Sequence, residues 1–181
     1  MALFNDSKTL KPIEQLKSAH QSTSERPNSQ DFPNDLEGYI RACRTHQVER
    51  GHSCVNWLKV IAAHLHEVLQ TTLIEVEYEG SGDSGSVCHV YAWTAEFAGQ
   101  AFSSFTNATD IPADYEREID ESAWEVVCIE HEGFWNNDGG RGQIAITLKD
   151  ARCNGNLPES WEIEVDHTDY EMVGHDSGET Y

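Results

Sequence analysis

The chain is short of positive charge in its C-terminal part. Residues 71–181 hold only four Lys/Arg (Arg117, Arg141, Lys149 and Arg152) against 24 acids. Residues 1–70 balance eight acids with eight bases, so the acidic part carries the whole formal net charge of −20. Without clustered Lys/Arg a surface cannot neutralise phosphates, which argues against direct nucleic-acid binding and against docking on anionic membranes. A field of this sign attracts basic protein surfaces and cations, and it also keeps a domain soluble. Long apolar runs are missing too. No stretch approaches the roughly 18 residues that suggest a membrane span. The N-terminus scatters Lys8, Lys11 and Lys17 among polar residues and lacks the apolar centre of a signal peptide, so a cytoplasmic location is expected. The five cysteines (Cys43, Cys54, Cys88, Cys128, Cys153) are odd in number and have no CxxC spacing. That disfavours a disulfide framework or zinc knuckle and predicts reduced, mostly buried thiols. The phosphate-loop, dinucleotide, nucleophile-elbow, kinase and HExxH patterns are all absent. No catalytic residue, reaction or cofactor is assigned, and a non-enzymatic role is favoured.

What remains is enough for a domain. The chain has 181 residues, 38% of them apolar, with five Trp. Residues 1–33 are rich in Ser, Thr, Asn, Gln and Pro and read as a flexible arm. A short helix over 10–19, with Leu10, Ile13, Leu16 and Lys17 on one face, is marginal by itself. Residues 34–70 read as a helical segment. Asn34 or Asp35 caps a helix reaching about Gln47, Gly51 breaks it, and Ser53 caps a second helix in which Val55, Leu58, Ala62, Leu65 and Leu69 recur at spacings of three and four. Residues 71–175 read as the acidic domain, and 176–181 as a loose tail.

Within the acidic domain the period changes to two. Ile74, Val76 and Tyr78 alternate with Glu75, Glu77 and Glu79, which predicts a half-buried strand with an acidic outer face. "GSGDSG" turns into "SVCHVYAW", where Val87, His89, Tyr91 and Trp93 oppose Cys88, Val90 and Ala92. Residues 95–112 are ambiguous, with Phe97, Phe102 and Phe105 expected in the core. Pro112 opens a helix reaching about His131, carrying Tyr115, Ile119, Ala123, Val126 and Ile129. "QIAITL" and "SWEIEVDH" complete a second strand pair, in which Trp161, Ile163 and Val165 alternate with Glu162, Glu164 and Asp166. The expected fold is α+β, an antiparallel sheet of about four strands with helices on one face and a helical N-terminal segment before it.

Three features in fixed order carry a family likeness: the strand with "YEGSGDSG" (Tyr78–Gly85), the helix running into "EGFWNNDGGRG" (Glu132–Gly142), and a late strand ending in His167 and Tyr170. On these, roughly the last 100 residues resemble a family of small acidic bacterial and mobile-element proteins catalogued as a domain of unknown function. The chain carries Phe134-Trp135 where that family usually has Trp-Glu. The resemblance implies a fold and marks two loops; it implies no reaction.

Two candidate sites follow. The acid rows Glu75/Glu77/Glu79 and Glu162/Glu164/Asp166 place carboxylates at regular spacing on a wet sheet face. Such a pattern can imitate a phosphate backbone, as small acidic phage and plasmid proteins that block host defence do. It is also how any half-wet sheet looks. The leading expectation is a phage- or mobile-element-encoded protein that binds a basic protein surface, inhibiting a nucleic-acid-handling defence protein, with a homodimer possible through the helical segment. The second site is the loop pair with Asp83, Ser84, Asn136, Asn137, Asp138 and Arg141. If Asp83 and Asp138 converge, they offer oxygen ligands to a hard cation or a small ligand, and the alternative expectation is such a binding domain or a hydrolase built there. No metal is assigned. Ser84 in "GDSG" reads as a turn residue, since a nucleophile needs a positioned His and carboxylate. Cys128 and His131 share a helix face, yet no second pair makes a zinc site.

Overall fold

The computed structural model describes residues 9–20, 26–33, 35–81, 84–98, 101–108, 110–131, 139–150 and 152–170, with the backbone alone for 19–20, 95–98 and 101–108. Helix α1 (Ile13–His20) is followed by a 3-10 turn at Ser29–Asp31 and the long helix α2 (Leu36–Leu69). Strands β1 (Leu73–Ser81), β2 (Ser84–Ala98) and β3 (Ala101–Ala108) come next. Helix α3 (Ala113–Glu130), β4 (Gly140–Leu148) and β5 (Trp161–Asp169) complete the chain. The strands form one sheet in the order β3-β2-β1-β4-β5, and every adjacent pair is antiparallel. The class is α+β. The fifth strand comes from the ambiguous stretch: β2 runs on to Ala98 and β3 returns beside it. The expected core contacts of Phe97, Phe102 and Phe105 lie outside the described side chains.

The core lies between the sheet and α2 and α3. Ile74, Val76 and Tyr78 of β1 and Ile144, Ile146 and Leu148 of β4 join Leu58, Ile61, Leu65, Ile119 and Val127 in one apolar cluster. Two sequence expectations fail. First, Gly51 does not break the helix: α2 runs 34 residues, about 51 Å, without interruption. Ser53 lies inside it rather than at a cap. Glycine costs about 1 kcal/mol in a helix interior, but here it lets α3 approach: a methyl group on Gly51 would sit 3.2 Å from Ile129 Cδ1. The expected N-cap at Asp35 is present, its Oδ1 accepting from the Gly38 N–H at 2.9 Å. Gln70 ends the helix in the left-handed conformation, φ 60°. Second, β2 does not alternate throughout. A bulge opposite Glu77/Tyr78 skips Cys88, so Val87 pairs with Tyr78 while His89 pairs with Glu77. The extra residue turns Val87 toward the core beside Val90 and leaves Cys88 exposed.

The arm at 1–33 is not loose throughout. Ile13 is 1% exposed and belongs to the core cluster. The first half of α2, by contrast, leaves Leu36, Ile40 and Val48 exposed.

Candidate functional site

The register fixes which side chains share the open face of the sheet. Glu75 pairs with Ala145 and Ala145 with Glu164, so these three form one row. Glu77, Gln143 and Asp166 form the next, and Glu79, Arg141 and Thr168 the third. Glu162 stands in a row with Thr147 and Leu73. All six acids expected to line this face therefore do so. Glu77, Glu79, Glu162, Glu164 and Asp166 are exposed, and Glu75 is half-buried. The two acid files lie two strands apart, about 9.5 Å, with a repeat of about 6.8 Å along each. The β4 residues between them are uncharged except Arg141, so no two of these acids stand directly opposite, the arrangement that most destabilises a sheet. Gln143 Nε2 donates to Glu75 Oε1 at 2.8 Å. Small Ala145 leaves an open depression of about 510 Å³ lined by Glu75, Gln143, Glu164, Val165 and Asp166.

Strand β2 adds an aromatic file beside the first acid file. His89 pairs with Glu77, Tyr91 with Glu75 and Trp93 with Leu73. The His89 and Tyr91 rings lie 5.6 Å apart and Tyr91 and Trp93 6.1 Å apart. Each of two carboxylates thus has a ring as its cross-strand neighbour. Cys88, bulged out beside them and exposed as a residue, has its thiol pushed up, first by partial desolvation against the strand and then by Glu79 and Glu77.

At one end of the sheet the strands anchor the two loops. Gly80 pairs with both Gly85 and Gly140, so the connection after Ser81 and the one before Gly139 leave from neighbouring points. Gly139 has φ +89°, and any Cβ there would strike the Gly80 carbonyl oxygen. Of the expected loop residues, Ser84 is exposed and donates to the Ser81 carbonyl at 3.4 Å, as a turn residue does. Arg141 is exposed in β4. Asp83, Asn136, Asn137 and Asp138 lie outside the described residues. Among those described, no group of three His, Cys, Asp or Glu side chains can hold a metal ion.

The sequence reading missed a cluster at this end. Tyr78 reaches from β1 beneath Gly142, where any side chain would collide with its hydroxyl and with the Asp166 carbonyl. Its hydroxyl meets His167 Nδ1 at 3.0 Å, and the two rings are parallel within 8°. His167 Nε2 meets Asp169 Oδ1 at 3.0 Å. His131 stacks on the other imidazole at 4.1 Å between centroids. An ionised Asp169 can only accept, so in this pair the His167 Nε2–H donates, and Nδ1 is left to accept from the Tyr78 hydroxyl. Burial raises the Tyr78 hydroxyl to about 12. Burial and then the neighbouring His167 hold His131 below its ordinary value. With both ring nitrogens of His167 engaged, this cluster positions the loop anchors rather than offering a free base. Tyr170 closes the end: its hydroxyl donates to Glu79 at 2.7 Å and its N–H to the Gly139 carbonyl. Tyr78, His167 and Tyr170 all lie in the motifs described in the sequence. The glycine at 142 is the sequence signal for this close approach, since a Cβ there would meet both the Tyr78 hydroxyl and the Asp166 carbonyl.

No family model, curated protein or solved structure matches the chain. No helix among the described residues is long and apolar enough to cross a membrane.

Proposed function

We propose that the chain is an acidic protein-binding module that covers a basic surface of a nucleic-acid-handling protein and thereby inhibits it. An origin in a phage or mobile element accords with the motif resemblance. The observation that carries the reading is the register: Glu75 with Glu164 and Glu77 with Asp166 form successive rows on the face away from the helices. The repeat of about 6.8 Å along each file matches two nucleotide rises of one DNA strand, about 3.4 Å each. The adjoining rings favour arginine on the partner, because a guanidinium can stack on an aromatic face while bonding a carboxylate.

The test starts with capture of a partner by the immobilised protein. The captured protein's grip on DNA or RNA is then titrated with wild type and with Glu77→Lys/Glu164→Lys. Wild type should displace the nucleic acid, more weakly as salt rises from about 0.05 to 0.5 M, since screening shortens the reach of surface charge. Equal displacement by the reversed variant, without salt dependence, would reduce these carboxylates to a solvated face.

The adjacency of the two loop anchors favours a second reading, a cation or small-ligand site built on Asp83 and Asp138. It requires the thermal midpoint to rise with millimolar Ca²⁺ over EDTA, and that rise to vanish in Asp138→Ala.

A further inference from the structure

Residues 9–20 are held on α2 and α3 by a small set of specific contacts. Ile13 is buried in the cluster that includes Trp57, Leu58 and Tyr115. The Lys11 peptide unit is gripped at both polar groups. Its N–H donates to His64 Nε2 at 3.1 Å, and its carbonyl accepts from the Tyr115 hydroxyl at 2.7 Å. Two turns on, Lys17 Nζ donates to Glu118 Oε1 at 2.6 Å, and the other Glu118 oxygen accepts from Trp57 Nε1 at 3.3 Å.

One of these contacts depends on a proton. A ring nitrogen that accepts from a peptide N–H must be bare. His64 is 8% exposed, so a protonated ring there is poorly hydrated and loses the Lys11 N–H as its partner. The groups facing the imidazole are Glu67 of α2, 3.6 Å from Nδ1, Lys11 of the N-terminal segment, and Tyr115 of α3, whose ring is stacked on it. Glu67 alone favours the charged form; burial, the dominant influence, and Lys11 oppose it and hold the group below its ordinary value. An eight-residue helix has little stability of its own to keep it in place once a grip is lost.

We propose that residues 9–20 are a releasable strap whose docking requires neutral His64, so that acidification frees the strap and opens the slot filled by Ile13. The sign follows from the direction of the shift. A histidine whose value is lowered in the docked state stabilises docking fully above the ordinary imidazole range, about 6.5, and loses that contribution as pH falls below it.

Amide hydrogen exchange of the full chain at about pH 7.5 and 5.5, corrected for intrinsic rates, tests this. Protection of residues 10–18 should fall about tenfold or more at the lower pH while β1 and β4 keep theirs. In His64→Gln, whose amide oxygen can accept where Nε2 did and does not titrate, protection should be the same at both. Equal protection of the wild type at both pH values would overturn the proposal. So would an unchanged pH response in His64→Gln, or loss of β1 and β4 protection together with the strap. If that variant does not fold, NMR of the wild type decides: the Lys11 amide must titrate with the His64 ring, and different midpoints would overturn the proposal.

Discussion

Along β1, Ile74, Val76 and Tyr78 are at most 2% exposed, whereas Glu77 and Glu79, each one residue away, stand in solvent. The two faces of this strand meet different demands. The inner residues must fill space between the sheet and two helices at crystal-like density, so their volumes are constrained. The outer residues need only be soluble, yet they repeat one charge at one spacing across β1 and β5. Solubility alone would be served as well by mixed charges, which is why the outer face bears the functional proposal and the inner face the fold.

The largest effect that separates the faces should come from inside. Ile74→Ala leaves a cavity under the middle of the sheet and should cost about 2–5 kcal/mol, read as a lowered denaturant midpoint with unchanged slope. A cost below about 1 kcal/mol would mean that the inner face is looser than its burial implies. Gly142→Ala comes next. A methyl group there collides with the Tyr78 hydroxyl and the Asp166 carbonyl, so Tyr78 must leave His167 or β5 must shift. The expected loss is about 1–3 kcal/mol, with altered aromatic circular dichroism.

A third test uses pH. Burial raises both Tyr78 and Tyr115 to about 12. Hydroxyls raised by folding contribute stability below the unfolded value of about 10, and that contribution is lost as pH rises from there toward 12. Tyrosinate absorbance should therefore show these two rings ionising last and together with unfolding. Tyr78→Phe should flatten part of the alkaline loss; an unchanged alkaline limb would detach Tyr78 from it. The smallest effect on stability belongs to the outer face. Glu77→Lys/Glu164→Lys should stay within about 0.5 kcal/mol of wild type per site, with any shift upward because self-repulsion falls. A collapse of stability in this variant would show that the two faces are not independent.

The strands whose faces differ most were the most legible in the sequence. Alternation in β1 and β5 gave their inner and outer residues correctly, because a pleated strand sends successive side chains to opposite faces whatever surrounds it. The helix after Pro112 was also legible from its spacing. Position 51 was not: glycine reads locally as a helix breaker, and only the contact with Ile129 explains its place inside α2. Nor was the bulge at Cys88, since one skipped residue leaves no mark on composition. The β3 backbone was hidden by a stretch with neither period.

The sequence by itself determined the charge asymmetry, the α+β class and the two-sided character of β1 and β5, since net charge, period and propensity are properties of neighbouring residues. Only the tertiary structure decided that the two acid files share rows across β4, that Tyr78 passes Gly142 to reach His167, and that Lys11 is gripped by His64 and Tyr115. Lys11 and His64 are 53 positions apart, Tyr78 and His167 89, and Lys11 and Tyr115 104, and contacts at such separations depend on register and packing, which no local pattern encodes.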